Sequence, residues 1–326
     1  MPNLETTYLG LTLKNPIIVG STGLTKSANK IKACEDAGAG AVVIKSLFEE
    51  SLRHEDLGLD SSALMHTEAY DYLRAEVNMQ YGPVEYCDLI KEAKKTVKIP
   101  VIASINCVSP KWWPDFAKKV EAAGADALEL NVFPVVVDAI NSSANVEQVY
   151  LDIMDSVKSN ISIPVAMKIS MYITALPHLA IQLGRKGLDG LVMFNRFVEP
   201  DIDIKEMKLK TTFPFSDGDD INNVLRWIAL LSGRVKSDLS ATTGIHSSEA
   251  IIKLLLAGAS TVQLASVLYK KGFKVINERL SDIEKWMKDK KFDKISDFQG
   301  KLNFGNIGTP DLYLRSQFME RVRSIE

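Results

Sequence analysis

An α/β fold, a (β/α)8 TIM barrel, is predicted by three features of the 326-residue sequence. First, four stretches run from a helix end through glycine into an apolar segment: "CEDAGAGAVVIKSL", "VEAAGADALELNVF", "LGRKGLDGLVMFNR" and "LLAGASTVQLASVL". Each reads as a helix closed by a C′ glycine and feeding a buried strand. Second, "IPVIASINC" and "IPVAMKIS" are proline-led entries to short strands, and "NPIIVGS" and "SDLSATTGI" bring the set to eight. Third, stretches of helical periodicity separate most of them, as expected for a parallel sheet covered on its outer face. The count and even spacing favour a closed barrel over a doubly wound open sheet.

The elements follow in order. "TTYLGLTLKN" reads as a short N-terminal hairpin closing the barrel floor. Strands one and two are placed at Pro16–Ser21 and Ala41–Leu47, and a long segment, "FEESLRHEDLGLDSSALMHTEAYDYLRAEVNMQYG", follows the second. Strand three is Val101–Cys107. The helix in "KWWPDFAKKVEAAG" comes next, with Trp112 and Trp113 read as packing residues. Strands four, five and six are Ala127–Phe133, Val165–Ser170 and Leu191–Arg196. A strand-like excursion after strand six, "FVEPDIDIKEMKLKTTFPFSDGDD", precedes a helix in "VLRWIALLSGRV". Strands seven and eight are Leu239–Ile245 and Thr261–Val267. Long loops after strands lie at the catalytic face of this architecture. No Pro/Gly/Ser-rich linker divides the chain, so residues 1–326 read as one domain.

Composition narrows the function. Lysine and arginine number 39 against 41 acidic residues, too balanced for a phosphate-tracking nucleic-acid surface. No apolar run is long enough for a membrane span, and the N-terminus has no signal-peptide pattern. Cys34, Cys87 and Cys107 lack metal or disulfide spacing, and four scattered histidines show no ligand pattern. A cytoplasmic protein is expected.

The predicted strand ends are polar. Lys45 ends strand two, Asn106 and Cys107 strand three, Asn131 strand four, Lys168 strand five, Asn195 and Arg196 strand six. Thr242, Thr243 and Gly244 end strand seven, and Ser266 strand eight. A lysine inside an apolar strand must pair with a core carboxylate, such as Glu129, or face a ligand. Two such lysines beside three asparagines favour an anionic, hydrogen-bonding ligand. "TTGIHSSEA" sets Gly244 in a turn before a helix opening at Ser247–Ser248, and Ser266 follows; barrels build phosphate sites at this place.

With those residues in view, the chain resembles the dihydroorotate dehydrogenase family of FMN barrels. It is also similar to the pyrimidine-reducing flavin domain of dihydropyrimidine dehydrogenase. The likeness runs from "LKNPIIVGSTG" to "DKISDFQGK", and "PVIASINC…EAAGADALELN" is its most specific part. The resemblance implies an FMN-dependent oxidoreductase moving a hydride between a dihydropyrimidine-type substrate and the flavin. It implies that Gly20, Ser21 and Thr22 lay backbone against the flavin and that Lys45 reaches flavin and substrate. Lys168 would sit beside the flavin N1–O2 edge. Asn131, Asn195 and Asn78 (or Gln80) would hold the planar ring. Gly244, Ile245, Ala265 and Ser266 would clamp the phosphate, with Asn106 and Thr243 in the same cofactor-binding set. A homodimer is implied too, as is membership of the soluble class, which lacks the N-terminal helical extension of the membrane-bound one.

One family feature is missing. The base, a cysteine or serine just after strand four, is replaced by Val132-Phe133-Pro134-Val135-Val136-Val137. Proline and phenylalanine cannot take a proton. Three accounts remain open. Cys107 or a residue such as Ser170 or Tyr172 takes over; the loop returns Ser142 or Ser143; or the protein acts on a different small ring, or is a non-catalytic FMN-binding homologue. A barrel for a phosphorylated sugar without flavin is a further alternative. No iron–sulfur cysteine cluster is present, so any such centre would come from a partner chain.

Overall fold

A computed structural model describes residues 1–48, 82–106, 113–134, 136–196, 200–211 and 215–314. The N-terminal hairpin comprises β1 (Thr6–Tyr8) and β2 (Leu11–Leu13), paired antiparallel. Its two-residue turn, Leu9-Gly10, has positive φ at both positions, the backbone that closes tight hairpins. Leucine is an unfavourable choice there, but it is 2% exposed and packs into the barrel floor with Tyr8 and Leu13. Leu9 N–H donates to Asp238 and Thr6 Oγ1 to the Ser260 carbonyl, which fasten the hairpin beneath the barrel.

The chain continues through β3 (Ile17–Val19), β4 (Ala41–Val43), β5 (Leu47–Phe48), β6 (Val101–Asn106), β7 (Ala127–Asn131), β8 (Val165–Ile169) and β9 (Gly190–Met193). After β10 (Pro200–Asp203) and β11 (Lys208–Thr211) come β12 (Asp238–Thr242) and β13 (Thr261–Leu264). Strands β3, β4, β6, β7, β8, β9, β12 and β13 pair in parallel in that circular order, and the β4–β6 and β13–β3 pairings close the barrel. The expected excursion is the β10–β11 hairpin. The four junction glycines, Gly38, Gly124, Gly187 and Gly258, all have positive φ, so the repeated helix–glycine–strand phrase is one turn used four times.

Strand two is broken where the sequence suggested continuity. Ser46 N–H donates to Ser21 Oγ at 2.8 Å rather than to a strand neighbour, and the ladder resumes only at Leu47. The long segment after strand two falls mostly outside the described residues, as do Asn78, Gln80, Cys107, Trp112 and Val135. Trp113 opens the helix Trp113–Ala122 and is fully buried, as a packing residue should be.

The proline-led entries share one construction. Glu35 accepts from the N–H groups of Lys98 and Ile99, and Asp126 accepts from Val101. Sixty-odd residues on, about one barrel unit pair in this architecture, Glu121 accepts from Ser162 and Ile163, and Asp189 from Val165. Pro100 and Pro164, having no N–H, fit the remaining position of each entry. Lys94 pairs with Asp126 at 2.7 Å and Lys158 with Asp189 at 2.6 Å. The Ser162 hydroxyl, then its N–H, hold the Glu121 carboxyl below its ordinary range. A carboxylate with a depressed folded pKa contributes stability above its unfolded pKa and loses it as pH falls through the folded value. Solvent screening discounts the effect of so accessible a carboxylate, and Glu121→Gln is expected to cost about 0.5–1 kcal/mol at neutral pH. In thermal melts the gap to the parent should shrink as pH drops below ~4; an undiminished gap would contradict the assignment.

Alternation along the strands sorts their side chains. Leu128, Leu130, Val165, Met167 and Ile169 face the helices in the outer core. Ala127, Ala166, Val192, Ile18, Val43 and Ile102 fill the barrel interior above the hairpin. Glu129, Asn131 and Lys168 share the inward parity one and two layers higher, where the interior opens. No helix among the described residues is long and apolar enough to cross a membrane.

Candidate active site

The barrel opens at the C-terminal ends of its strands into a cleft of about 670 Å³. Ser21, Thr22, Lys45, Asn131, Lys168, Asn195, Thr243, Gly244, Ile245, Ala265 and Ser266 all line it, although the chain separates the first from the last by most of its length. Gly20 and Asn106 stand at strand ends without lining the cleft; Gly20 N–H extends the ladder to Leu264 O and Asn106 pairs with Phe48. Thus these eleven residues share one cavity with Glu129, Arg196 and Thr242, Cys107 and Asn78 lie outside the described residues, and Ser143 lines a different pocket.

The cleft has two ends. At one, Asn195 Nδ2 donates to Asn131 Oδ1 at 2.8 Å, joining the ends of strands four and six. Asn131 keeps its amide N–H groups and Asn195 its carbonyl, so a donor and an acceptor stand side by side. Lys168 is the Cα partner of Asn131 on the next strand, and Lys45, two residues past the end of β4, lines the same cleft. Ser21, Ser46 and Ser104 form a chain of hydroxyl contacts, 3.0 and 2.8 Å, that fixes the backbone beside Lys45.

At the other end, Gly244 has φ +76° and approaches the Asp220–Ile221 peptide so closely that a Cβ would lie 2.3 Å from Ile221 N. Thr243, also at positive φ, anchors the turn by donating to the Phe194 carbonyl at 3.0 Å. Ser247 caps the helix Ser248–Ala257 by accepting from Ala250 N–H. Ser266 does not end a strand, as the sequence suggested; it opens the short helix Ser266–Lys271, and its Oγ accepts from Ser216 N–H at 3.0 Å. Phe215 stacks on Tyr269 at 5.3 Å, and Ser216 reaches His246 at 3.1 Å. Burial and the nearby Lys270 charge lower the His246 pKa. This wall of residues 215–221 was not foreseen, because it is the return of the excursion and touches the cleft only through folding.

The floor corrects one reading. Glu129 does not pair with a strand lysine: its Oε2 accepts from Gln263 Nε2 at 2.6 Å, across the barrel between strands four and eight. Both side chains are 1% exposed and both line the cleft. Gln263 carried no signal in the sequence beyond being a polar residue inside an apolar strand.

Ser143 lies beside a second pocket of about 400 Å³, with Phe133, Pro134, Tyr150, Ser170 and Tyr172. Ser142 is the N-cap of the helix Ser143–Lys158 and accepts from Asn145 N–H, so Ser143 is its exposed first residue. The segment after strand four thus faces this side pocket. Burial pushes the Tyr150 hydroxyl up to about 12, against the effect of its hydrogen bond with Ser170.

A family profile described as dihydroorotate dehydrogenase matches residues 3–287. Among similar proteins is the dihydroorotate dehydrogenase B (NAD(+)), catalytic subunit, of Thermoplasma acidophilum, 27% identical over 305 residues, which cover 92% of this chain and 99% of that one. Proteins of the same name from Methanocaldococcus jannaschii (26% identical; 88% and 94% covered) and Anoxybacillus flavithermus (27%; 92% and 96%) are similar as well.

Proposed function

The chain belongs to the dihydroorotate dehydrogenase family and is an oxidoreductase of the CH–CH type, and from that premise we propose that it binds FMN in the barrel cleft and exchanges a hydride with a dihydropyrimidine-type ring, dihydroorotate being the reference substrate. The observation that carries this is the meeting, in one cleft, of Lys45 and Lys168, the Asn131–Asn195 pair and the Gly244 turn.

The cleft fits the cofactor on its own chemistry. Gly244 lines the cleft, and its missing Cβ lets the turn pack against the Asp220–Ile221 peptide, which fixes the backbone that would meet a phosphate. Ser266 and the backbone of Ile245 border the same end. When bound, FMN supplies the two-electron acceptor. Lys168 holds positive charge where negative charge develops during the transfer, and Lys45 adds to it. Asn131 donates and Asn195 accepts, a pair complementary to the adjacent C=O and N–H of an amide edge in a planar ring. Asn78 and Gln80 complete the proposal for ring binding on the resemblance alone.

A second reading is favoured by the Val-Phe-Pro segment. Neither Phe133 nor Pro134 can accept a proton, and both line the side pocket. On that reading the flavoprotein serves a different small ring, or binds FMN without turnover. The test begins with reconstitution: the purified chain mixed with FMN is expected to retain a yellow flavin band after desalting. Asn131→Ala and Asn195→Ala should then weaken orotate binding, read from the flavin spectral shift, by about tenfold or more each, the loss of one or two hydrogen bonds. A colourless protein that takes up no FMN would refute the proposal and favour a phosphorylated sugar.

Partners follow the same reading. The β10–β11 hairpin exposes Ile202, Ile204, Met207 and Leu209, with Ile202 and Leu209 paired on one face. We place the homodimer contact there. The similar proteins are named catalytic subunits, which makes a second polypeptide the competing arrangement. Sedimentation of the purified chain separates the two.

A further inference from the structure

One buried carboxylate and the buried amide bonded to it each keep an unpartnered oxygen in the cleft. Glu129 Oε1 has no hydrogen-bond partner, and neither has Gln263 Oε1, although both residues are 99% buried by exposure. Five cations line the cleft: Lys26, Lys30, Lys45, Lys168 and Arg196. Of these five, the Lys168 ammonium alone has no hydrogen bond or ion pair among the described residues; Lys30 donates to Gly23 O, Arg196 faces Asp220, and Lys26 and Lys45 are engaged. Asn131 and Lys168 are Cα partners on β7 and β8, and Glu129 stands opposite Ala166, so Glu129 and Lys168 are diagonal neighbours on the inward face. Diagonal neighbours in a sheet stand roughly 7–8 Å apart, too far for contact through short side chains and well within range of unscreened charge.

A buried carboxylate without a cation is costly, and so is a half-buried ammonium without an anion. Each supplies what the other lacks. We infer that Glu129, held in place by Gln263, is the counter-charge of Lys168 and sets the electrostatic potential at the cleft floor, as a positioning residue that acts through Lys168. The inference rests on the flavin reading for its first readout only. A negative charge one layer beneath Lys168 offsets part of the ammonium's field, so the floor is less welcoming to negative charge on a bound ring than Lys168 alone would make it.

The experiment compares the parent, Glu129→Gln, Lys168→Met and the double variant, each loaded with FMN and quantified by absorbance. The midpoint potential of the bound flavin is then read by spectroelectrochemistry. Glu129→Gln is expected to favour the reduced over the oxidised flavin by about tenfold, a rise of ~30 mV for a two-electron couple. Lys168→Met should shift the potential the opposite way, and the Glu129→Gln effect should shrink in its background. A Glu129→Gln potential equal to the parent's would overturn the inference. Should Glu129→Gln fail to fold, Gln263→Leu removes the donor that stabilises the carboxylate and is expected to raise the potential too; no shift overturns the inference equally. The second readout needs no flavin. Acetylation of Lys168 by acetic anhydride, followed by mass spectrometry on the flavin-free protein, should run about threefold faster or more in Glu129→Gln, because the ammonium has lost its counter-charge. An unchanged rate counts against the inference even if FMN does not bind, and uptake of FMN by itself decides only the functional proposal.

Discussion

Anaerobic addition of dihydroorotate to the FMN-loaded protein is expected to bleach the flavin band 10²–10⁴-fold more slowly than in a barrel that carries a positioned base after strand four, the range such a base contributes. The reason is geometric as well as chemical. Asn131 is the last residue of its strand and faces the cleft, but Phe133 and Pro134 line the neighbouring pocket. Ser143, the serine that the loop could have returned, is the exposed first residue of a helix on that same side. Stopped-flow absorbance settles the matter. A fast bleach would show that a base is supplied from elsewhere, and loss of that bleach in Ser143→Ala or Cys107→Ala would identify it. A slow bleach with dihydroorotate and a fast one with another reduced ring would give the second functional reading its substrate.

Gly244→Val is expected to abolish FMN retention, with a loss of affinity of at least 10²-fold. Valine would have to adopt φ +76°, which a β-branched residue strongly resists. Its Cβ would also lie 2.3 Å from Ile221 N and 2.8 Å from the Asp220 carbonyl carbon, backbone atoms that cannot rotate away. The turn must then open or the wall at residues 215–221 must move, and either change removes the backbone cradle. Equilibrium dialysis against FMN measures the loss, and circular dichroism verifies that the barrel persists. A variant that folds and retains FMN with parental affinity would remove the phosphate role from this turn.

The sequence disclosed the barrel because its repeated helix–glycine–strand phrase is local chemistry. Each junction glycine, each IPV entry and each buried strand can be recognised within a dozen residues. The cleft residues were legible for the same reason: Lys45, Asn131 and Lys168 interrupt apolar strands near their ends. What escaped is what depends on which face of a strand looks inward. Strands buried on both sides show no alternation, so Glu129 and Gln263 gave no hint that they meet across the lumen, 134 positions apart. The break in strand two was hidden likewise, since it depends on Ser21 reaching Ser46 from another strand. The Phe215–Tyr269 stack needs the excursion to fold back before it exists.

The paired carboxylates at the strand entries sit at the end of the barrel remote from the cleft, and they satisfy backbone groups that the mouth of the barrel never sees. Anchorage and chemistry are therefore housed at opposite ends of the same strands. A segment such as 132–142 is bounded by strand four, held by its neighbours, and by a helix with its own serine cap. It is an exchangeable cartridge: a base-bearing loop could be grafted there, or this one carried to another barrel of the family, without disturbing the frame that presents it.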